Sequence, residues 1–309
     1  TLAVCRVADE RGRVLIVNGF NRVSGPETVQ SDSLAGFRMD LDGGVPDRMD
    51  ISFIGPQRVF DRAQARCNVD SIALGACDSD YETDVIGGNT FDYPALHGRS
   101  VAAAGYSFCS ASVRAVEQGE VSLGDYDAVD LILGKQRTTP IGRGVGDDAF
   151  EAFPEALQSR LRRYLADGGA LFVSGAYVVS DLMRDTTAAA RNEAFAREVL
   201  HCRMEGCRST GSGRVRVVTA HPGFTRGEYR FNTEYRPDCY VVERADALLP
   251  AGREAFGVMR YVDGRGTAAV ASEADGRTFV ASFPFETVGD ATARDRLMRD
   301  VLEFLVKQR

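Results

Sequence analysis

Four short apolar runs, each ending abruptly in glycine or a polar loop, constrain the fold of this chain most. They are Val14 to Val17 in RVLIVNGFNRVSGP, Val101 to Ala104 in SVAAAGYSFCSAS, Val129 to Leu133 in DAVDLILGKQ and Ala170 to Val173 in GALFVSGAYVVSD. None shows the apolar–polar alternation of a strand with one wet face, so each reads as a central parallel strand buried on both sides. Helical patterns lie between the runs. In FPEALQSRLRRYLADGG, Leu157, Leu161 and Leu165 recur every four residues, and Gly168 stands where a helix stop belongs. Strands alternating with helices imply an α/β fold, an open and mostly parallel sheet flanked by helices with right-handed crossovers.

Two stretches depart from this alternation. Residues 27–97 are rich in Asp, Gly, Asn and Pro and read as a long insertion or lid after the first strand. Residues 214–286 read as a β-rich C-terminal part, with hairpins expected around DGRG and EADGR. The chain closes on ARDRLMRDVLEFLVKQ, an amphipathic helix with Leu297, Met298, Val301, Leu302 and Leu305 on one stripe. Without repeats or low-complexity linkers, residues 1–309 read as one domain carrying the insertion.

Composition narrows the partners. A net charge of −7 with scattered arginines argues against a nucleic-acid groove, and no apolar stretch is long enough for a membrane span. The glycines after Val17 do not form GxGxxG and no GxxxxGK[ST] occurs, so no nucleotide cofactor is expected. Seven cysteines leave at least one unpaired; Cys67 and Cys77 bracket a polar loop suited to a disulfide in an exported protein. HCRMEGC has spacing that fits no zinc pattern, and the aspartates at 40, 42, 47 and 50 fit no calcium loop, so no metal is assigned.

Ligands of an open parallel sheet sit beyond the carboxyl ends of its strands. This rule singles out Asn18, Asn21 and Arg22 after the first strand; Tyr106, Ser107 and Ser110 after the second; Lys135 and Gln136 after the third; and Ser174 and Tyr177 after the fourth. Ser174 lies between an apolar strand and an apparent helix, a geometry open to two readings, an exposed nucleophile or a helix N-cap. His97, with Asp92 nearby in sequence, is the candidate base among the three histidines.

The order LRRYLADGGALFVSGAY, then β-rich structure, then TFVASFPFE and a closing helix resembles the class I glutamine amidotransferase-like fold, a flavodoxin-like architecture. The resemblance places Ser174 where that family carries its nucleophilic cysteine and Glu286 at the acid of its triad. Pro284 stands where the family has histidine, so no glutaminase activity is expected. RVLIVNGFNRVSGP, GGNTFDYPALHG, AGYSFCSAS and GGALFVSGAYVVSDL further resemble exported Bacteroidetes proteins labelled xanthan lyase-like, which implies an extracellular or periplasmic, polysaccharide-associated domain of a larger chain with a carbohydrate or cell-wall ligand. The alternative expectation is a serine hydrolase of an amide, ester or glycan using Ser174, His97 and Glu286.

Overall fold

The computed structural model describes residues 2–21, 28–30, 35–37, 93–140, 148–208, 211–234, 239–242, 244–264, 266–274 and 276–306. Arg22, Asp92, the four clustered aspartates, Cys67 and Cys77 lie outside them. The first strands are β1 (Val4–Cys5), β2 (Arg13–Asn18), β3 (Thr28–Gln30), β4 (Ala35–Phe37), β5 (Ser107–Ser112), β6 (Ala128–Gly134), β7 (Thr139–Pro140), β8 (Asp148–Ala149) and β9 (Ala170–Gly175). The β-rich part adds β10 (Cys202–Arg208), β11 (Arg214–Val217), β12 (Glu228–Arg230), β13 (Ala245–Pro250), β14 (Ala255–Tyr261), β15 (Thr267–Ser272) and β16 (Arg277–Ala281). Five α-helices are described: α1 (Tyr93–Ala103), α2 (Val113–Gln118), α3 (Glu155–Ala166), α4 (Ala189–Glu198) and α5 (Ala291–Leu305).

Twelve strands form one mixed sheet, a correction to the mostly parallel sheet expected. Its parallel part is β5-β2-β6-β9-β16, which in chain order is second-first-third-fourth-fifth, a doubly wound order whose switch point lies at the first strand. The remaining seven strands join antiparallel: β1 on β5 at one edge, the hairpins β16-β15-β14 leading to β11 and β12 at the other, and β13 branching from β15 with β10 beside it. Alternate residues of the parallel strands face two cores. Val14, Ile16 and Phe172 pack with residues of α1 and α5, whereas Leu15, Val17 and Val173 pack with residues of α2, α3 and α4. Each buried Leu or Phe contributes about 1.5–3 kcal/mol, so the two helical layers hold the sheet from both sides.

One expected strand is helix. Val101 and its alanines close α1, Gly105 at φ +90 ends that helix, and the strand is the next segment, SFCSAS. A short apolar run carries no period to separate the two states, and alanine favours helix. Consequently Tyr106 precedes β5, and Ser107 and Ser110 lie within it rather than beyond its carboxyl end. Their hydroxyls serve the edge: Ser107 Oγ accepts from Val7 N at 2.9 Å, and Ser110 Oγ accepts from Ala3 N at 2.7 Å and donates to Ala3 O at 2.9 Å.

Candidate functional site

The carboxyl ends of β2 and β6 are tightly closed. Asn18 Oδ1 accepts from Phe20 N at 3.2 Å, turning the chain back over the sheet. Gly134, at φ +49, lets the Phe20 ring lie where a side chain would stand: an added Cβ would meet Phe20 Cδ1 at 2.3 Å. Phe20 stacks on Tyr93 with ring centroids 5.4 Å apart, and Tyr240 meets both rings edge-on at 5.4 and 5.9 Å. All three rings are buried, as is Lys135.

On the same face as α1 lies a buried ionisable cluster. His97 projects from α1 with Nδ1 2.8 Å from Asp130 Oδ2 of β6 and Nε2 3.2 Å from Glu286 Oε2, in the turn Phe285–Thr287 after β16. Tyr240 donates its phenol to Glu286 Oε1 at 2.6 Å, and Phe285 meets the imidazole edge-on at 4.6 Å. His97, Asp130, Glu286 and Tyr240 are all at most 4% exposed, so the cluster is sealed from solvent. Burial opposes charge on His97, yet the charges and hydrogen bonds of Asp130 and Glu286 outweigh it and raise its pKa to about 9. The imidazolium then donates both N–H groups, one to each carboxylate. Burial, with the Glu286 charge added, pushes the Tyr240 phenol well above its ordinary value, keeping it a donor.

The expected trio therefore meets only in part: His97 and Glu286 are joined directly, and Ser174 is not bonded to either. Ser174 lies inside β9, fully buried, in register with Ile132 and Ala281, and its Oγ has no hydrogen-bond partner among the described residues. The helix expected to begin beside it is absent; the strand runs on through Gly175 and turns occupy 176–184 before α4. The turns are fastened from elsewhere in the chain. Ala176 N donates to Gly134 O at 2.7 Å, and buried Asp246 Oδ2 accepts from Val179 N and Ser180 N, each at 2.8 Å. Tyr177 is buried too, with Arg137 stacked 4.8 Å over its ring.

Asn21 and Gln136 fall on the opposite side of the strand ends. Gln136 Nε2 donates to Asn21 Oδ1 at 2.8 Å, and Asn21 N donates to Gln136 Oε1 at 3.2 Å. The pair lines a cavity of about 290 Å³ at the switch point, together with Arg114 and Glu117 of α2, Glu151 and Pro154. Partial burial, reinforced by Glu151 and opposed by Arg114, raises the Glu117 carboxyl above its ordinary range. Sequence reasoning found Asn21 and Gln136 here and missed Arg114, Glu117 and Glu151, whose pattern is that of ordinary surface charges. It also missed Asp130, although an aspartate inside an apolar strand run was a legible signal, since Asp is rarely buried unless paired. Among the described residues no group of three or more His, Cys, Asp or Glu is placed to hold a metal, and no helix is long and apolar enough to cross a membrane.

No family model and no curated protein matches the chain. Solved structures similar to it include the exo-beta-1,4-mannosidase Op5Man5 from Opitutaceae bacterium strain TAV5, 11% identical over 69% of this chain and 31% of that one, with TM-score 0.42. A ThuA-like protein from Bacteroides uniformis ATCC 8492 is 9% identical, with 96% and 94% of the two chains covered and TM-score 0.46. A GMP synthase component from Thermoplasma acidophilum is 10% identical over 70% of this chain and 88% of that one, with TM-score 0.40. The chain thus spans 31% of the length of the mannosidase. At these TM-scores the likenesses carry no argument about activity.

Proposed function

We propose that the chain is a catalytically silent, amidotransferase-like domain of an exported, polysaccharide-associated protein, and that it binds a small glycan-type ligand at the strand ends. The observation that carries this reading is the use made of the expected catalytic groups. Both nitrogens of His97 are held by carboxylates and Ser174 Oγ is buried without a partner, so no base stands ready to take a proton from the serine. The strand order of the parallel part supports the flavodoxin-like architecture, and the sequence resemblance supplies the exported setting. The cavity beside Asn21 and Gln136 is near the lower end of ligand-site sizes, about 300 Å³, and amide side chains with nearby carboxylates suit a sugar's hydroxyls.

Calorimetric titration with cellobiose and with N,N′-diacetylchitobiose, run beside glutaminase and ester-hydrolysis assays, tests the proposal. One disaccharide is expected to bind, about fivefold more weakly to Asn21→Ala as a lost hydrogen bond implies, with no turnover in either assay. Turnover that disappears in Ser174→Ala would put chemistry at Ser174 and overturn the silent reading; absence of binding by both sugars would overturn the ligand reading.

A further inference from the structure

The antiparallel end of the sheet carries a charge arrangement that the strand-end cavity does not use. In the β11–β12 pair Arg214 stands directly opposite Arg230, and in the β11–β14 pair Arg216 stands directly opposite Arg260. Residues opposite one another in antiparallel strands share a face, and those two apart on a strand do as well, so all four guanidiniums project from one side. All four residues are exposed, while Val215, Tyr229 and Tyr261 of the rung between them point the other way into the core. Like charges directly opposite destabilise a sheet, and two such pairs lie two residues apart along β11.

Carboxylates only partly offset them. Glu228 bridges Arg214 at 2.5 Å and Arg216 at 2.6 Å, and Glu234 takes Arg230 at 2.8 Å. Asp263 accepts from Ser212 N and Oγ at 2.9 and 2.8 Å and lies close enough to feel the charge of Arg214. Arg260 makes no ion pair among the described residues. This face therefore presents four guanidiniums against three carboxylates, Glu228, Glu234 and Asp263, of which Glu228 alone lies on these strands, in a chain whose net charge is −7.

We infer that the exposed face of β11, β12 and β14 is a binding surface for a polyuronate, an extended polysaccharide whose repeated carboxylates take the Arg214, Arg216, Arg230 and Arg260 guanidiniums. The planar guanidinium fork matches a carboxylate in two-point geometry, and repeated rungs match a repeated anion. A single-stranded nucleic acid suits the face less, because such ligands need aromatic stacking platforms and Tyr229 and Tyr261 are turned into the core. An acidic peptide added as a further strand suits the edge less: Phe231 bridges Val288 and Gly289 N donates to Arg230 O at 3.4 Å, so the Arg230 end of the outer side of β12 is already partnered.

The test is a fluorescence titration of the intact chain with labelled hexagalacturonate in low and moderate salt, with maltohexaose and oligo-dT as competitors. The wild type is expected to bind the uronate with affinity that falls as salt rises, to be displaced by neither competitor at equal concentration, and to lose at least tenfold in Arg216→Gln/Arg260→Gln. The circular dichroism spectrum and thermal midpoint of that variant should be unchanged, since it relieves a like-charge pair while giving up the exposed Arg216–Glu228 bridge. Undiminished binding by the double variant, equal displacement by maltohexaose, stronger displacement by oligo-dT, or no binding at all would each overturn the inference. The strand-end cavity is tested separately by neutral sugars and Asn21→Ala, so either reading can fail alone.

Discussion

At the residue scale, the two groups expected as nucleophile and base respond to quite different forces. Ser174→Ala deletes a buried hydroxyl that has no partner, so equilibrium unfolding in urea should show a change within about 1 kcal/mol, with stabilisation the favoured sign. Tyr240→Phe removes the donor to buried Glu286, and the same measurement should show a loss of about 1.5–3 kcal/mol, the range for hydrogen bonds to charged groups. A large loss in Ser174→Ala would mean that the hydroxyl has a partner after all. Legibility at this scale was uneven. His97 and Glu286 stood out as a rare titratable residue and a motif acid, and they do meet. The bonds that fix their state come from Asp130 and Tyr240, distant in sequence; the aspartate in VDLIL signals a buried partner without naming it, and nothing local to CYVVE announces its contact.

At the element scale, close approach governs more than propensity does. Helix α1 lies so near β5 that a Cβ added at Gly98 would meet Phe108 Cζ at 2.1 Å, and Gly134 combines a positive φ with contact to Phe20. Gly134→Ala should therefore cost about 2–4 kcal/mol, strain and overpacking together, with loss of the near-ultraviolet signal from the Phe20, Tyr93 and Tyr240 rings. A thermal melt and near-ultraviolet spectrum like those of the wild type would contradict the packing described. Helices α3 and α5 are readable because their apolar residues recur over three or more turns, and Gly168 and Asp290 mark their ends; Asp290 Oδ1 accepts from Thr292 N at 2.9 Å. The run at Val101 misleads because four apolar residues show no period, and the turn after Ser174 misleads because its N–H groups are capped by Asp246, some seventy residues on.

At the scale of the whole molecule, the His97 cluster ties α1, β6, the 239–242 segment and the turn after β16 into one buried knot. The alternating part of the fold and the β14-β15-β16 hairpins around DGRG and EADGR are visible in the chain; the joining of β1, β10, β11, β12 and β13 to the same sheet is not, because those pairings depend on contacts that strand composition does not encode. The knot makes stability depend on pH with a defined sign. A histidine whose folded pKa is raised from 6.5 to about 9 contributes stability that is fully present below pH 6.5 and is lost as pH rises through about 9. Urea unfolding across that window should show a fall of about 3 kcal/mol. The most direct test of the sealed centre, proposed above to be catalytically silent, is the imidazole nitrogen NMR titration of His97 in wild type and Ser174→Ala. A pKa near 9 that the substitution leaves in place is the expected result. A pKa at or below the ordinary value of 6.5 would mean that the carboxylates do not hold the imidazolium, and one that moves when Ser174 is removed would couple the imidazole to the serine; either contradicts the account.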